Sequence, residues 1–214
     1  MNTTAAPVAG ENVIIKPDGK ILLKNVILSY PNLFEPFKGR TAKPEDKAKY
    51  SAKFLLSKDT HKADIQKLGK HIVEMCVKEF KSKLPSDKIF LRNGETTGKD
   101  EDVPFFIVSA SETLRPVVYG REGPKGPPVS KEDADTKAYA GCIVNALIQP
   151  WTQNNTFGKR VNANLLAVQF VKDGKRMGRA QVDTSGDFED ISSEFGDDVV
   201  LDDAFGDDEI NFEG

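Results

Sequence analysis

The first sustained run of apolar residues is Lys20-Ile-Leu-Leu-Lys-Asn-Val-Ile-Leu-Ser-Tyr30, rich in aliphatic and β-branched side chains and closed by Pro31. It predicts a β-strand. Apolar residues fall on both of its faces, as they do in a strand covered on both sides or coiled into a small barrel. Residues 31–49, punctuated by Pro31, Pro36, Gly39 and Pro44, read as a long connection. Connections of that length without structure of their own tend to be functional or disordered. Tyr50 to Leu56 returns as a second strand. The period then changes: Ile65, Leu68, Ile72, Met75 or Cys76, and Phe80 recur at steps of three and four. That spacing predicts a helix capped by Asp59 or Thr60, running to about Lys83 and stopped by Leu84-Pro85. Its remaining faces carry Lys62, Lys67, Lys70, Lys78 and Lys81, a basic exterior.

Short strands are expected at Ile89–Arg92, Pro104–Ala110 and Leu114–Tyr119. Gly120 to Pro128 is too rich in Gly and Pro for helix or ladder. Two long apolar runs, Ala140–Trp151 and Arg160–Val171, flank the polar Thr152–Lys159 and read as a β-hairpin. Asp173-Gly174 makes a further turn, and Arg176–Val182 adds a last strand. No internal repeat and no regular alternation of strand and helix is present, which disfavours a parallel α/β sheet. The fold class expected is mainly β: an OB-like antiparallel five-stranded barrel with one inserted helix, extra hairpin strands and a disordered acidic C-terminal tail. Residues 1–19, small and polar, read as a flexible N-terminal arm, 20–182 as the folded domain and 183–214 as the tail.

Charge sharpens this division. The chain of 214 residues has 30 Lys+Arg against 33 Asp+Glu, a net charge of −3. Residues 183–214 hold thirteen of the acids and no Lys or Arg, so a body of +10 is joined to a tail of −13. Such a split points to polyelectrolyte contact by the body and an interaction role for the tail. High charge of one sign makes disorder the default for the tail. Yet Phe188, Ile191, Phe195, Val199, Phe205, Ile210 and Phe212 recur among its acids, a composition suited to docking on basic, partly apolar grooves. No run approaches the ~20 apolar residues of a membrane span, and MNTTAAPVAG is unlike a signal peptide. A cytoplasmic chain with Cys76 and Cys142 reduced is therefore expected.

Candidate chemistry is narrow. His61, His71, Cys76 and Cys142 show no zinc spacing. Gly120-Arg-Glu-Gly-Pro-Lys-Gly126 lacks the Gly-Lys-Ser/Thr and following helix of a phosphate cradle. The acids sit in exposed stretches with no sign of convergence, so neither catalysis nor a metal or other cofactor is expected. What stands out is a mixture of bases and aromatics: Tyr30, Phe34, Phe37, Lys38 and Arg40 around the first connection, Tyr50 and Lys53 in the next strand, and Trp151, Phe157, Lys159 and Arg160 at the hairpin. Single-stranded nucleic acid needs cations for its phosphates and flat side chains on which unpaired bases stack. The competing reading is burial. It is favoured for Phe54, Phe105 and Phe106 inside apolar strands, and it competes for Trp151, Phe157, Phe34 and Phe37.

Ser29-Tyr-Pro-Asn-Leu-Phe-Glu-Pro36, Lys49-Tyr-Ser-Ala-Lys-Phe-Leu55, Tyr139-Ala-Gly-Cys-Ile-Val144 and Leu165-Leu-Ala-Val-Gln-Phe-Val-Lys-Asp-Gly174, in that order, resemble a family of tailed-bacteriophage single-stranded DNA-binding proteins. The resemblance spans about residues 20–182. It implies an OB fold and a non-enzymatic role coating unwound DNA during replication and recombination in the cytoplasm of the infected bacterium. The tail is similar to those that recruit replication proteins such as a DNA polymerase or helicase, which places partner binding at Phe205, Asp207, Asp208, Glu209, Ile210 and Phe212. Here Glu213-Gly214 follow the last aromatic, a departure from tails that end on one. Single-stranded DNA is the partner expected, with no membrane, for a monomer or small homo-oligomer. Two other readings stay open: an acidic-tailed protein-interaction or chaperone-like module without DNA binding, and a Mg²⁺-dependent nucleic-acid-processing enzyme.

Overall fold

A computed structural model describes residues 11–39 and 45–178. The chain divides into two units, 1–178 and 179–214, and all described residues belong to the first. Its elements, in order, are β1 (Val13–Ile15), β2 (Ile21–Phe37), β3 (Lys49–Ser57), α1 (Lys62–Phe80), β4 (Leu91–Asn93), β5 (Phe105–Glu112), β6 (Val117–Tyr119), α2 (Ala134–Lys137), β7 (Ile143–Asn155) and β8 (Gly158–Lys172). The strands form one sheet in the order β4-β5-β3-β2-β7-β8-β6, with β1 added to β2. Five of them, β2, β3, β5, β7 and β8, make the OB-type barrel. An isolated bridge from Ile89, just before β4, to Val161 in β8 draws the two ends of the curled sheet together. Pairing is antiparallel except for β6 on β8 and that bridge.

Alternation builds the core. Ala52, Phe54 and Leu56 of β3, Val144, Ala146 and Ile148 of β7, and Val161, Ala163 and Leu165 of β8 all point inward and are buried. α1 buries the face read from its spacing, Ile65, Leu68, Ile72, Cys76 and Phe80, and covers β1, β7 and β8. It ends at Lys81, whose left-handed backbone (φ 59°) lets its N–H reach the Val77 carbonyl at 3.1 Å. Cys76 and Cys142 are buried free thiols. Burial pushes the Cys142 thiol up to about 12, so it stays protonated and unreactive.

Four expectations are corrected. Residues 13–15 are not a loose arm: they pair with Ile21–Leu23 and bury Val13 completely. Pro31 does not end the first strand, because β2 continues to Phe37 through a register shift between Ser29 and Asn32. Pro31, which has no N–H to give, sits in that irregularity, and Tyr30 takes a left-handed φ of 47° to make it. The helix is capped by neither Asp59 nor Thr60. His61 occupies the N-cap position and its side chain does not cap. The segment 176–178 is not a strand, and the rest of that expected strand lies outside the described residues, as does the tail.

After β8 the chain turns back along residues 139–141. The Tyr139 hydroxyl donates to Asp173 Oδ1 at 2.9 Å and accepts from the Gly174 N–H at 3.1 Å, while the Met177 N–H donates to the Ala140 carbonyl at 2.9 Å. Gly141 makes this possible. Its φ is +105°, and a Cβ there would sit 2.0 Å from the Lys175 carbonyl oxygen.

His61 gives a pH dependence. It is buried, its Nδ1 pairs with Thr60 Oγ1 at 2.8 Å, and its Nε2 has no hydrogen-bond partner among the described residues. Burial lowers its pKa below the usual 6.5, against the opposing pull of Asp64 and the Lys24 backbone. The folded state therefore favours neutral imidazole, whereas the unfolded chain takes up a proton near pH 6.5. This contribution to stability is present above that pH and is lost as pH falls through 6.5 toward the lower folded value. Urea midpoints measured at about pH 7.5 and 5 are expected to differ less in His61→Asn than in the parent chain, and an unchanged difference would rule the mechanism out.

Candidate nucleic-acid interface

The outward positions of the same strands form the site. Where Ala52 and Phe54 point inward, Ser51 and Lys53 point out. They pair with Ser111 and Ser109 of β5, giving a shallow floor of small polar side chains. Asn32 Nδ2 donates to Ser51 Oγ at 3.1 Å and ties β2 to that floor. One wall is the β7–β8 hairpin, where outward Trp151 and Gln153 lie opposite Asn162 and Arg160. Trp151 Nε1 donates to Asn164 Oδ1 at 2.7 Å, which fixes the indole while leaving it 40% exposed. The groove so enclosed has a volume of about 690 Å³. Lys49, Lys53, Lys88, Arg92 and Arg160 line it, against the acids Asp87 and Glu112. Asp87 is held by Lys88 at 3.1 Å, and its carboxyl is depressed chiefly by that hydrogen bond.

At one end stands Tyr30, half-exposed on its irregular backbone. Lys53 Nζ lies 4.6 Å and Lys99 Nζ 4.9 Å from the centre of its ring. Lys99 also donates to the Tyr30 hydroxyl at 2.5 Å, a contact that raises its pKa and keeps it charged. A cation held over an aromatic face, as Lys53 is at 4.6 Å, is worth about 0.5–1 kcal/mol at an exposed site. The end of the groove thus presents an exposed aromatic ring together with two ammonium groups.

Of the sequence candidates, Tyr30, Phe37, Lys53, Trp151 and Arg160 meet in this groove. Five others do not line it. Phe34 packs against the core with the Arg115 guanidinium 5.1 Å from its ring. Tyr50 shares the inward parity of Ala52 and Phe54 and lies opposite Glu112 at the strand's end. Lys159 has the parity of Val161, and its ammonium lies 5.7 Å from the Phe80 ring. Phe157 is 80% exposed in the turn at the hairpin tip, and Lys38 is exposed beyond the end of β2. Arg40 and the tail candidates lie outside the described residues. The residues that were missed are the polar ones: Asn32, Ser51, Ser109, Ser111, Gln153, Asn162 and Asn164, together with Lys88, Arg92 and Lys99. The signal for most was their position one step from a buried neighbour in a strand. Lys88, in a 3-10 turn, and Lys99 lie outside the strands and gave no such signal.

Among the described residues no group of three or more His, Cys, Asp or Glu is disposed to hold a metal ion, and no helix is long and apolar enough to cross a membrane.

Comparison with known proteins converges. A protein named p50 of Acyrthosiphon pisum secondary endosymbiont phage 1 is 30% identical over 184 residues, covering 81% of this chain and 94% of that one. The single-stranded DNA-binding protein of bacteriophage Enc34, solved in complex with single-stranded DNA, superposes with a TM-score of 0.69 at 32% identity over 81% of this chain and 97% of that one. A C-terminal truncation of the Enc34 protein gives 0.67 at 34% identity, covering 81% and 95%. The model of the family described as Enterobacter phage Enc34, ssDNA-binding protein, matches residues 19–200. With an OB-type barrel, a basic aromatic groove and a family match over most of its length, the chain belongs to the Enc34 phage single-stranded DNA-binding protein family.

Proposed function

We propose that this chain binds single-stranded DNA without catalysis and with little sequence preference, coating unwound DNA during phage replication and recombination in the host cytoplasm. The observation that carries the reading is the groove itself. Trp151 and Tyr30 stand exposed over a floor of serines, among five cations and two acids. Small hydroxyl side chains let an unpaired strand approach the sheet, the aromatics stack bases, and the cations follow phosphates. No base-reading pattern is required. The relative solved with single-stranded DNA supports the choice of ligand. In this proposal residues 183–214 recruit replication proteins through Phe205 to Phe212, and their thirteen acids compete with DNA for the basic side chains.

Titration of oligo(dT) and duplex of equal length at several salt concentrations tests this. Tighter binding of oligo(dT) is expected. If Lys49, Lys53, Lys88, Arg92 and Arg160 each neutralise one phosphate, log affinity falls against log salt with a slope of about −3.5, from −0.7 per contact. Equal or tighter duplex binding would sink the proposal, and no binding of either would favour the interaction-module reading. Deleting residues 183–214 is expected to tighten oligo(dT) binding and to abolish capture of a replication partner. Unchanged affinity would show that the acids do not compete.

A further inference from the structure

A second groove, with a volume of about 620 Å³, lies on the other side of Tyr30, which lines both. Its floor is apolar. Ile27 of β2 and Ile143 of β7 are opposite one another in the ladder, both on the outer face. Phe105 at the start of β5 and Met177 of the returning C-terminal segment complete it. The bases Lys175 and Arg176 stand at the rim. Of the two acids there, Asp102 is buried and accepts a hydrogen bond from Thr97 Oγ1 at 2.8 Å, and Glu101 lies 3.9 Å from Lys99. Cations therefore dominate the exposed charge.

We infer that this groove is a second subsite for the same DNA strand, which passes from the Trp151 wall over Ser51 and Lys53, crosses Tyr30 between its two lysines, and continues onto the Ile27–Ile143 floor. The inference rests on the proposed binding of single-stranded DNA in the first groove. Continuity argues for it, because Tyr30 lines both grooves and holds two cations, Lys53 against its ring and Lys99 at its hydroxyl. Charge argues the same way, with Lys175 and Arg176 at the rim of the apolar floor. An extended peptide is the weaker occupant. β2 is already paired on both sides, with β3 and β7, and offers no free edge for strand addition. Nucleobases need no such edge. Their flat faces lie on aliphatic and thioether surface while the sugar-phosphate chain stays at the basic rim.

The test uses the full-length chain and oligo(dT) carrying 5-iodouracil at single positions, photocrosslinked and mapped by mass spectrometry. It is paired with affinities for oligonucleotides of about 6 and about 16 nucleotides, within the range for OB folds. Crosslinks at Trp151 with both lengths, and at Phe105 or Met177 with the longer one only, are expected. Met177→Glu and Lys175→Glu, both outside the hydrophobic core, are expected to weaken the longer oligonucleotide about tenfold and the shorter less than twofold. Crosslinks confined to the Trp151 groove, with both variants binding the longer strand like the parent, would overturn the second subsite and leave the first intact. Absence of crosslinks at Trp151 as well would overturn the DNA reading of both grooves.

Discussion

Trp151→Ala is expected to weaken oligo(dT) binding by about five- to 150-fold, the range that corresponds to about 1–3 kcal/mol for one stacked base. The loss is specific to binding. Trp151 is 40% exposed on the outward face of β7, while its neighbour Pro150 takes the buried position. Truncating the indole therefore leaves the core intact and returns Asn164 to water. A melting temperature within a few degrees of the parent's is expected, and Trp151→Phe should recover most of the affinity because a flat face is retained. Trp151 is the only tryptophan in the chain. Quenching of intrinsic fluorescence in the parent protein thus reports directly on this residue, and anisotropy of a labelled oligonucleotide supplies the affinity of the alanine variant. A change below twofold, or binding without quenching, would remove Trp151 from the interface.

Phe54→Ala makes the opposite separation. Phe54 lies in β3 immediately after the groove residue Lys53, yet its ring points inward and is fully buried. Removing it costs the transfer free energy of the ring and leaves a cavity that a closed barrel collapses around only partly, about 3–5 kcal/mol in all. Most domains are stable by only about 5–15 kcal/mol, so the urea midpoint should fall steeply. The slope of the transition should hold, and the fraction that remains folded should bind oligo(dT) at near-parent affinity. A loss under about 1 kcal/mol would mean that the barrel repacks and that Phe54 is not central to it. Two adjacent residues, one buried in the core and one facing the groove, follow from the two-residue period of the strand.

The same period explains which parts of the site could be read in advance. Tyr30, Phe37, Lys53, Trp151 and Arg160 were recognisable because aromatics and bases are chemically conspicuous. Tyr50 and Lys159 were equally conspicuous, but they have inward parity, and parity is settled only when the register is known. The serines and asparagines of the floor were invisible for the converse reason: nothing in their chemistry marks them until neighbouring strands bring them side by side. Pro31 misled most. A proline normally closes a strand, and only a bulge that sets its absent N–H outside the ladder, with Tyr30 in a left-handed conformation to build it, lets β2 run on to Phe37.

By itself the sequence determined the class of fold, the buried face of α1, the β7–β8 hairpin and the opposition between a basic body and acidic residues 183–214. Each is a local pattern or a sum, and neither depends on what lies across space. Tertiary structure decided the rest: that β2 continues past Pro31, that Val13–Ile15 belongs to the sheet, that Lys99 reaches the ring of a residue 69 positions earlier in the chain, and that Tyr30 stands between two grooves. Those facts come from register, from bulges and from the curl that brings Ile89 to Val161. They are set by packing between distant segments, and no local pattern encodes them.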